Sequence, residues 1–113
     1  MESTSHIYRA EAGGLSRLAG ALAIPVPVSL PEWMTKENVE QHGIWDEDIH
    51  HAPTRLVCLE NTHNGRIYPQ RIIEDIAEFC HQRNVSLHLG NPLPVSNRFH
   101  VDNRWDTDMA CFR

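Results

Sequence analysis

The sequence predicts an α/β fold built on a βαβ unit whose two strands run parallel. Leu56 to Leu59 is a short, continuous apolar run of the kind that forms a strand buried on both faces. Gln70 to Arg83 carries apolar residues at three- and four-residue spacing, which predicts an amphipathic helix. Val85 to Leu89, VSLHL, predicts the second strand. A helix between two such strands forms a crossover, so the strands should be parallel and the crossover right-handed.

Two shorter helices are predicted ahead of this unit. Glu11 to Ala23 shows helical spacing of its apolar residues, which are Leu15, Leu18, Ala19 and Leu22. The proline-rich stretch IPVPVSLPEW then ends the helical pattern, because each proline removes a backbone donor. Thr35 is a suitable N-cap for the second helix, which should run through Gln41 and end around Gly43.

The connection within the unit and the end of the chain have their own signals. Asn64-Gly65 predicts a turn, and Pro69 suits the first turn of the following helix. After Leu89 the sequence shows no periodicity and carries Pro, Asn and Asp throughout. We therefore expect residues 1–89 to form the domain and residues 90–113 to be a divergent, irregular tail.

Composition excludes several classes of protein. The 113-residue chain has a formal net charge of -5, and Lys36 is its one lysine, so no clustered basic surface for nucleic acid is expected. No apolar run approaches the roughly 18 residues of a membrane span, and no secretory signal pattern is visible, which favours a cytoplasmic location. The three cysteines, Cys58, Cys80 and Cys111, are widely spaced, and we expect Cys58 and Cys80 to be small core residues.

Polar residues follow the first predicted strand and mark a candidate site. Ligands of open parallel sheets bind beyond the carboxyl ends of the strands, which is where ENTHN lies: Glu60, Asn61, Thr62, His63 and Asn64. The alternative is that Glu60, Asn61 and Asn64 only cap the turn through local hydrogen bonds. The histidines match no recognised zinc spacing, so we predict no metal site.

Three stretches together resemble the low-specificity L-threonine aldolases, in the wider family of beta-eliminating lyases. They are HIYRAEAGG, DEDIHHAPTRLVCLENTHNGRIYP and FCHQRNVSLHL, of which APTRLVCLENTHN is the most specific. The resemblance runs from about Ser5 to Leu89 and is loose from Pro25 to Gly43. It implies part of the large domain of a pyridoxal-phosphate enzyme of fold type I, the aminotransferase-like architecture. It also implies cleavage of β-hydroxy-α-amino acids such as threonine to glycine and an aldehyde.

The resemblance assigns roles to individual residues. His6 matches a histidine that stacks on the cofactor's pyridine ring, and Glu60 to Asn64 match the pocket rim. His50 matches a histidine near the substrate hydroxyl, as a candidate for base or orienting work. Imidazole suits that work because its ordinary pKa lies near neutral pH.

The resemblance also shows which cofactor anchors this sequence lacks. The family lysine that forms the Schiff base lies further downstream, and Lys36 stands where the family has none. A family His-x-Asp-Gly-Ala-Arg run is here His88-Leu89-Gly90-Asn91-Pro92, without its aspartate and arginine. The glycine-rich phosphate segment precedes His6 in the family, so we expect it to be missing too.

We therefore expect a truncated central fragment with the family's function and an incomplete catalytic site. A truncated gene model, an alternative transcript, a degenerate gene copy or a chain selected to be short would each account for it. Because family enzymes are oligomers with pockets near subunit interfaces, the alternative is a non-catalytic binding or regulatory partner of a full-length paralogue. Such a chain would form homo- or hetero-oligomers.

Overall fold

The computed structural model describes residues 1–29 and 31–90 in full, together with the backbone of residues 111 and 112. The helices and strands in chain order are α1 (His6–Arg9), α2 (Gly14–Ala19), α3 (Lys36–His42), β1 (Leu56–Glu60), α4 (Gln70–Gln82), β2 (Ser86–Gly90) and β3 (Cys111–Phe112). Within the described ranges, no helix has the length and apolar character needed to cross a membrane.

The sheet has the order β1-β2-β3, and its first pair confirms the predicted parallel βαβ unit. β1 and β2 pair in parallel from Leu56↔Ser86 to Glu60↔Gly90. The chain between them forms α4, within one residue of its predicted end. The backbone of β3 pairs antiparallel with β2. Residues 91–110 and 113 lie outside the described residues, so the irregular tail remains a prediction.

The core lies between α4 and the two parallel strands. Three consecutive residues of β1 are buried, Val57, Cys58 and Leu59, as expected for a strand covered on both faces. In β2 the buried residues alternate, Leu87 and Leu89. α4 buries four residues against this sheet, which are Ile73, Ile76, Phe79 and Cys80. The prediction that Cys58 and Cys80 are core residues is confirmed.

α3 packs on the core through its buried Val39, and the partly buried Trp45 follows beyond its end. Thr35 is the N-cap, as predicted, and Asn38 Oδ1 accepts its backbone N–H at 2.9 Å. Beyond the C-terminus of α3, the Trp45 indole donates to the Glu40 carbonyl at 2.8 Å and meets the Phe79 ring edge-on, with centroids 5.6 Å apart. These contacts fix the approach of the chain to β1.

The predicted helix from Glu11 to Ala23 is wrong in its length. α2 covers only Gly14–Ala19, because Gly13 and Gly20 both adopt left-handed backbone conformations, with φ of 75° and 61°. The apolar stripe that predicted the longer helix is largely exposed in the described part of the chain. Leu18 is 86% exposed and Leu22 is 72% exposed.

Candidate functional site

The loop that follows β1 lies at the carboxyl ends of both parallel strands. The Asn61 N–H donates to the Gly90 carbonyl at 3.0 Å, so the ends of β1 and β2 meet at one edge of the sheet. The loop then closes in a tight turn, in which His63 and Arg66 exchange backbone hydrogen bonds of 2.9 and 3.0 Å. Asn64 and Gly65 adopt positive φ angles of 50° and 75° in that turn. The predicted Asn64-Gly65 turn is confirmed, and it returns the chain toward α4.

Glu60 connects this edge to the segment that carries His6. Its two carboxylate oxygens accept the backbone N–H groups of His6 and Ile7, each at 2.9 Å. These two donors belong to the first turn of α1, where a helix leaves N–H groups without intrahelical partners. The N-cap residue Ser5 gives no side-chain hydrogen bond to them, so Glu60 satisfies donors that the local sequence does not. Residues 54 positions apart are thereby brought together.

A buried histidine joins Glu60 to the start of the chain. His63 is 2% exposed, and its Nε2 lies 2.7 Å from Glu2 Oε2 while its Nδ1 lies 3.4 Å from Glu60 Oε2. We call Glu2, His63 and Glu60 the clasp. It links residues 2 and 60 through one side chain, alongside backbone pairing between Glu2 and Val26.

The second carboxylate oxygen of Glu2 faces the core. It accepts a hydrogen bond from the Tyr68 hydroxyl and a 3.1 Å bond from the Met34 N–H. Burial, reinforced by the neighbouring Glu2 carboxylate, raises the pKa of Tyr68 well above its ordinary range. Asn61 completes the arrangement, because its Oδ1 accepts the Tyr68 N–H at 3.1 Å.

Sequence reasoning missed Glu2 and Tyr68. Glu2 stands in a polar N-terminal stretch, and Tyr68 directly precedes Pro69, so neither belongs to an apolar period or a recognised motif. Their pairing spans 66 positions of the chain, and no local sequence signal indicates a contact of that kind.

The side chain of His6 faces solvent. Its ring is 70% exposed, and Nδ1 lies 3.0 Å from Glu11 Oε1. The Glu60 contacts therefore fix the backbone of His6 and leave most of its ring accessible. The structure thus brings His6 and the Glu60–Asn64 loop to one place through the backbone.

His50 lies elsewhere in the described structure. It sits in the exposed loop before β1, where its N–H donates to Asp48 Oδ1 at 2.8 Å. The neighbouring His51 pairs with Asp46 at 3.0 Å. Among the described contacts, none joins the His50 side chain to the loop from Glu60 to Asn64. The described residues therefore do not bring His50, the predicted catalytic histidine, into contact with the predicted pocket rim.

The groups present do not make up a complete pyridoxal-phosphate site. Lys36, the one lysine of the sequence, is the first residue of α3; its side chain is half-exposed, and its Nζ lies 3.7 Å from Glu37 Oε1. At the end of β2, Gly90 offers no carboxylate for a pyridinium nitrogen, and a Cβ built there would lie 3.3 Å from His88 Nε2. The described residues also contain no group of three or more His, Cys, Asp or Glu side chains arranged to hold a metal ion.

An apolar cavity of about 260 Å³ lies away from this edge. Residues from the α2 region, α3 and the amino end of β1 line it, among them Leu15, Leu22, Met34, Val39 and Leu56. None of the predicted site residues contributes to its wall. This cavity and the candidate site are therefore separate features.

Comparisons with known proteins identify the family. Residues 1–90 match the profile of the family described as beta-eliminating lyase. The low specificity L-threonine aldolase of Saccharomyces cerevisiae is 40% identical over 85 residues, which are 74% of this chain and 22% of that protein. The low-specificity L-threonine aldolase of Candida albicans is 41% identical over 87 residues, 75% of this chain and 23% of that protein.

A third relative carries a different name. The alanine racemase TOXG of Cochliobolus carbonum is 38% identical over 89 residues, 79% of this chain and 23% of that protein. The chain thus spans less than a quarter of the length of each of these three relatives. The match over residues 1–90 confirms the resemblance seen in the sequence: the chain belongs to the beta-eliminating lyase family and is similar to its low-specificity L-threonine aldolases.

Proposed function

We propose that the chain forms one wall of the amino-acid pocket of a threonine-aldolase-type lyase. The reaction is cleavage of L-threonine or allo-threonine to glycine and acetaldehyde, with pyridoxal phosphate as the cofactor that stabilises the carbanion. The names of the yeast relatives support this reaction class. The parallel β1–β2 pair is consistent with part of a fold type I domain. We expect the protein in the cytoplasm.

The observation that carries the proposal is the carboxylate bridge from Glu60 to the backbone of α1. It holds His6 beside the carboxyl ends of β1 and β2, where ligands of parallel sheets bind. In the proposed site His6 faces the cofactor ring, and Glu60 to Asn64 form the rim. His50 is assigned to the substrate hydroxyl, as a base or an orienting group.

The residues of this chain support a pocket wall and do not support catalysis by the chain alone. No lysine stands at the carboxyl edge of the sheet, since Lys36 is on the surface of α3. The relative named alanine racemase matches the same segment as the aldolases. A segment shared by proteins named as a lyase and as a racemase does not by itself determine which of the two reactions is catalysed.

We expect the purified chain to retain no pyridoxal phosphate after incubation and dialysis, and to release no acetaldehyde from L-threonine. The reason is the missing anchors, because covalent retention needs a primary amine at the pocket. The measurement is the visible absorption of the dialysed protein, with and without glycine, beside an acetaldehyde assay.

The Lys36→Arg variant is the matched control, since it keeps the charge and removes the one side-chain amine. A retained absorption band that responds to glycine would contradict the proposed incompleteness. If Lys36→Arg then abolished that band, Lys36 would be the anchor.

The second candidate function is that of a non-catalytic partner of a full-length paralogue. It is favoured by apolar side chains left exposed on the described surface, notably Leu18, Leu22 and Ile49 at 86%, 72% and 92%. Leu18 and Leu22 lie in and just beyond α2, on the stripe that predicted a buried helix face. Because Leu18 and Leu22 are only four residues apart in the chain, they are the exposed apolar residues best suited to an association with another chain.

Co-expression with the low specificity L-threonine aldolase of Escherichia coli, which is 35% identical over 85 residues, tests this second function. If this chain enters mixed oligomers as an incomplete subunit, the aldolase activity per Escherichia coli subunit should fall in proportion to the amount of this chain incorporated. Leu18→Glu/Leu22→Glu should abolish the effect if this surface makes the contact. Unchanged activity at equal expression, with no co-purification, would contradict the partner function.

A further inference from the structure

His63 stands between two carboxylates that come from distant parts of the chain. Its Nε2 faces Glu2 Oε2 at 2.7 Å, and its Nδ1 faces Glu60 Oε2 at 3.4 Å. Ionised carboxylates only accept hydrogen bonds, while a neutral imidazole has one N–H donor and one acceptor nitrogen. A neutral ring would therefore direct a lone pair at one of the two carboxylates. With both carboxylates ionised, only the imidazolium, which has both nitrogens protonated, satisfies both contacts.

The other groups around the ring are compatible with that charge. Thr4 Oγ1 and Asn64 Nδ2 each lie 3.0 Å from Nε2. The hydroxyl can accept a hydrogen bond, and the amide can present its oxygen after a rotation by half a turn. Tyr68, on the far side of Glu2, stays neutral because burial raises its pKa. The N-terminal amine is also near Glu2, but burial lowers its pKa. The other cation available to Glu2 among these contacts is the imidazolium of His63.

Burial makes this charge balance consequential. Glu2 is 4% exposed and His63 is 2% exposed, and an unpaired charge at such a position is strongly unfavourable. Glu60 uses the same carboxylate oxygen, Oε2, to face His63 and to accept the His6 N–H. The orientation of Glu60 is therefore coupled to the ring of His63, and through it to Glu2.

We propose that a doubly protonated His63 joins Glu2 to Glu60 and thereby holds α1 against the carboxyl end of β1. Glu2 and His63 are then positioning residues for His6, and they act through Glu60. The role of His6 in the amino-acid pocket rests on the proposed function. The coupling from Glu2 to the backbone of His6 does not, and it can be tested without cofactor or substrate.

Hydrogen exchange of the full chain tests the coupling. In His63→Gln we expect the amides of His6 and Ile7 to exchange about tenfold faster or more, because Glu60 loses the cation that orients it. Amides in the middle of α4, such as that of Ile76, should keep their wild-type rates. His51→Gln is the matched control, since it removes an exposed histidine paired with one carboxylate.

A double-substitution cycle separates charge coupling from packing. Glu2→Gln/His63→Gln should accelerate exchange at His6 and Ile7 by less than the product of the two single effects, because the double variant leaves no unpaired buried charge. Multiplicative effects, or equal acceleration in α4, would overturn the positioning role. So would unchanged exchange at His6 and Ile7 in a folded His63→Gln variant.

The unaltered chain provides a second measurement if His63→Gln does not fold. NMR of protein labelled with ¹⁵N-histidine should show two ring N–H protons on His63 at neutral pH. A single ring N–H, marking a neutral tautomer, would overturn the proposal. These results concern only the clasp, whereas failure of the proposed lyase function would appear as an absence of aldolase chemistry with the clasp intact.

Discussion

Substitution of His50 by asparagine should lower kcat for L-threonine about 100-fold or more in an enzyme that uses this segment as its pocket wall. The expected loss is the contribution that a positioned general acid or base makes to a proton transfer. Because the chain lacks its own cofactor anchors, the experiment needs a chimera. In it, residues 5–89 of this chain replace the matching 85-residue segment of the Escherichia coli aldolase.

The neighbouring histidine provides the control for that experiment. His51 lies in the same exposed loop, and its side chain is already engaged with Asp46 at 3.0 Å. His51→Asn should therefore leave kcat within about twofold, as surface substitutions usually do. Equal losses in the two variants would point to a disturbed loop. Full activity of His50→Asn would remove His50 from the mechanism.

The same kcat measurement tests whether His50 belongs to the same pocket as His6 and Glu60. The structure places His6 and Glu60 at one edge and His50 in the loop before β1, with its backbone held by Asp48. If His50 acts on the substrate, groups outside this chain must complete the site between these two places. A change in kcat with little change in KM would locate its contribution in the transition state.

The fold was predictable where the sequence has a local period. The buried run from Leu56 to Leu59, the stripe of α4 and the alternation in β2 each follow from side chains that share one hydrophobic face. The helix predicted from Glu11 to Ala23 failed for a reason of the same local kind. Gly13 and Gly20 adopt left-handed conformations at the two ends of α2, so the helix stops there although the apolar spacing continues.

The candidate site was predictable only in its location. The strand ends indicated the edge at which Glu60 to Asn64 lie, but not what these side chains bind. Glu60 caps a helix 54 positions away, where the alternative had expected it to cap the local turn, and His63 contacts Glu2 across 61 positions. Pairings of this kind depend on how the N-terminal segment packs in three dimensions. One sequence carries no periodic signal for them.

Alkaline conditions should destabilise the chain well before its arginines titrate, and Cys80 should be the first cause. Burial raises the pKa of the Cys80 thiol to about 11 from an ordinary value of 9.0, and the residue is 1% exposed. Above pH 9 the unfolded thiol ionises while the folded thiol stays protonated, so the unfolded state is favoured. The stabilisation is present in full below pH 9 and is lost as the pH rises toward 11.

The expected loss from Cys80 is roughly 2 kcal/mol of unfolding free energy by pH 11, because each pKa unit corresponds to about 1.4 kcal/mol. Tyr68 adds to it above pH 10, the ordinary pKa of a tyrosine, since the buried phenol also resists ionisation. Urea unfolding midpoints between pH 7 and pH 11 measure the sum. Most small domains have only about 5–15 kcal/mol of stability, so the shift should be large.

Cys80→Ala separates the two groups. It removes the thiol and lowers stability at pH 7 through the small cavity, but it should lose less stability than the wild type between pH 9 and pH 11, because the contribution of Cys80 is gone. Parallel declines of wild type and Cys80→Ala between pH 9 and pH 11 would contradict the assignment to Cys80. A difference that grows between pH 9 and pH 11 would show that the core between α4 and the parallel strands keeps the Cys80 thiol protonated while the unfolded thiol ionises, as a closely packed interior should.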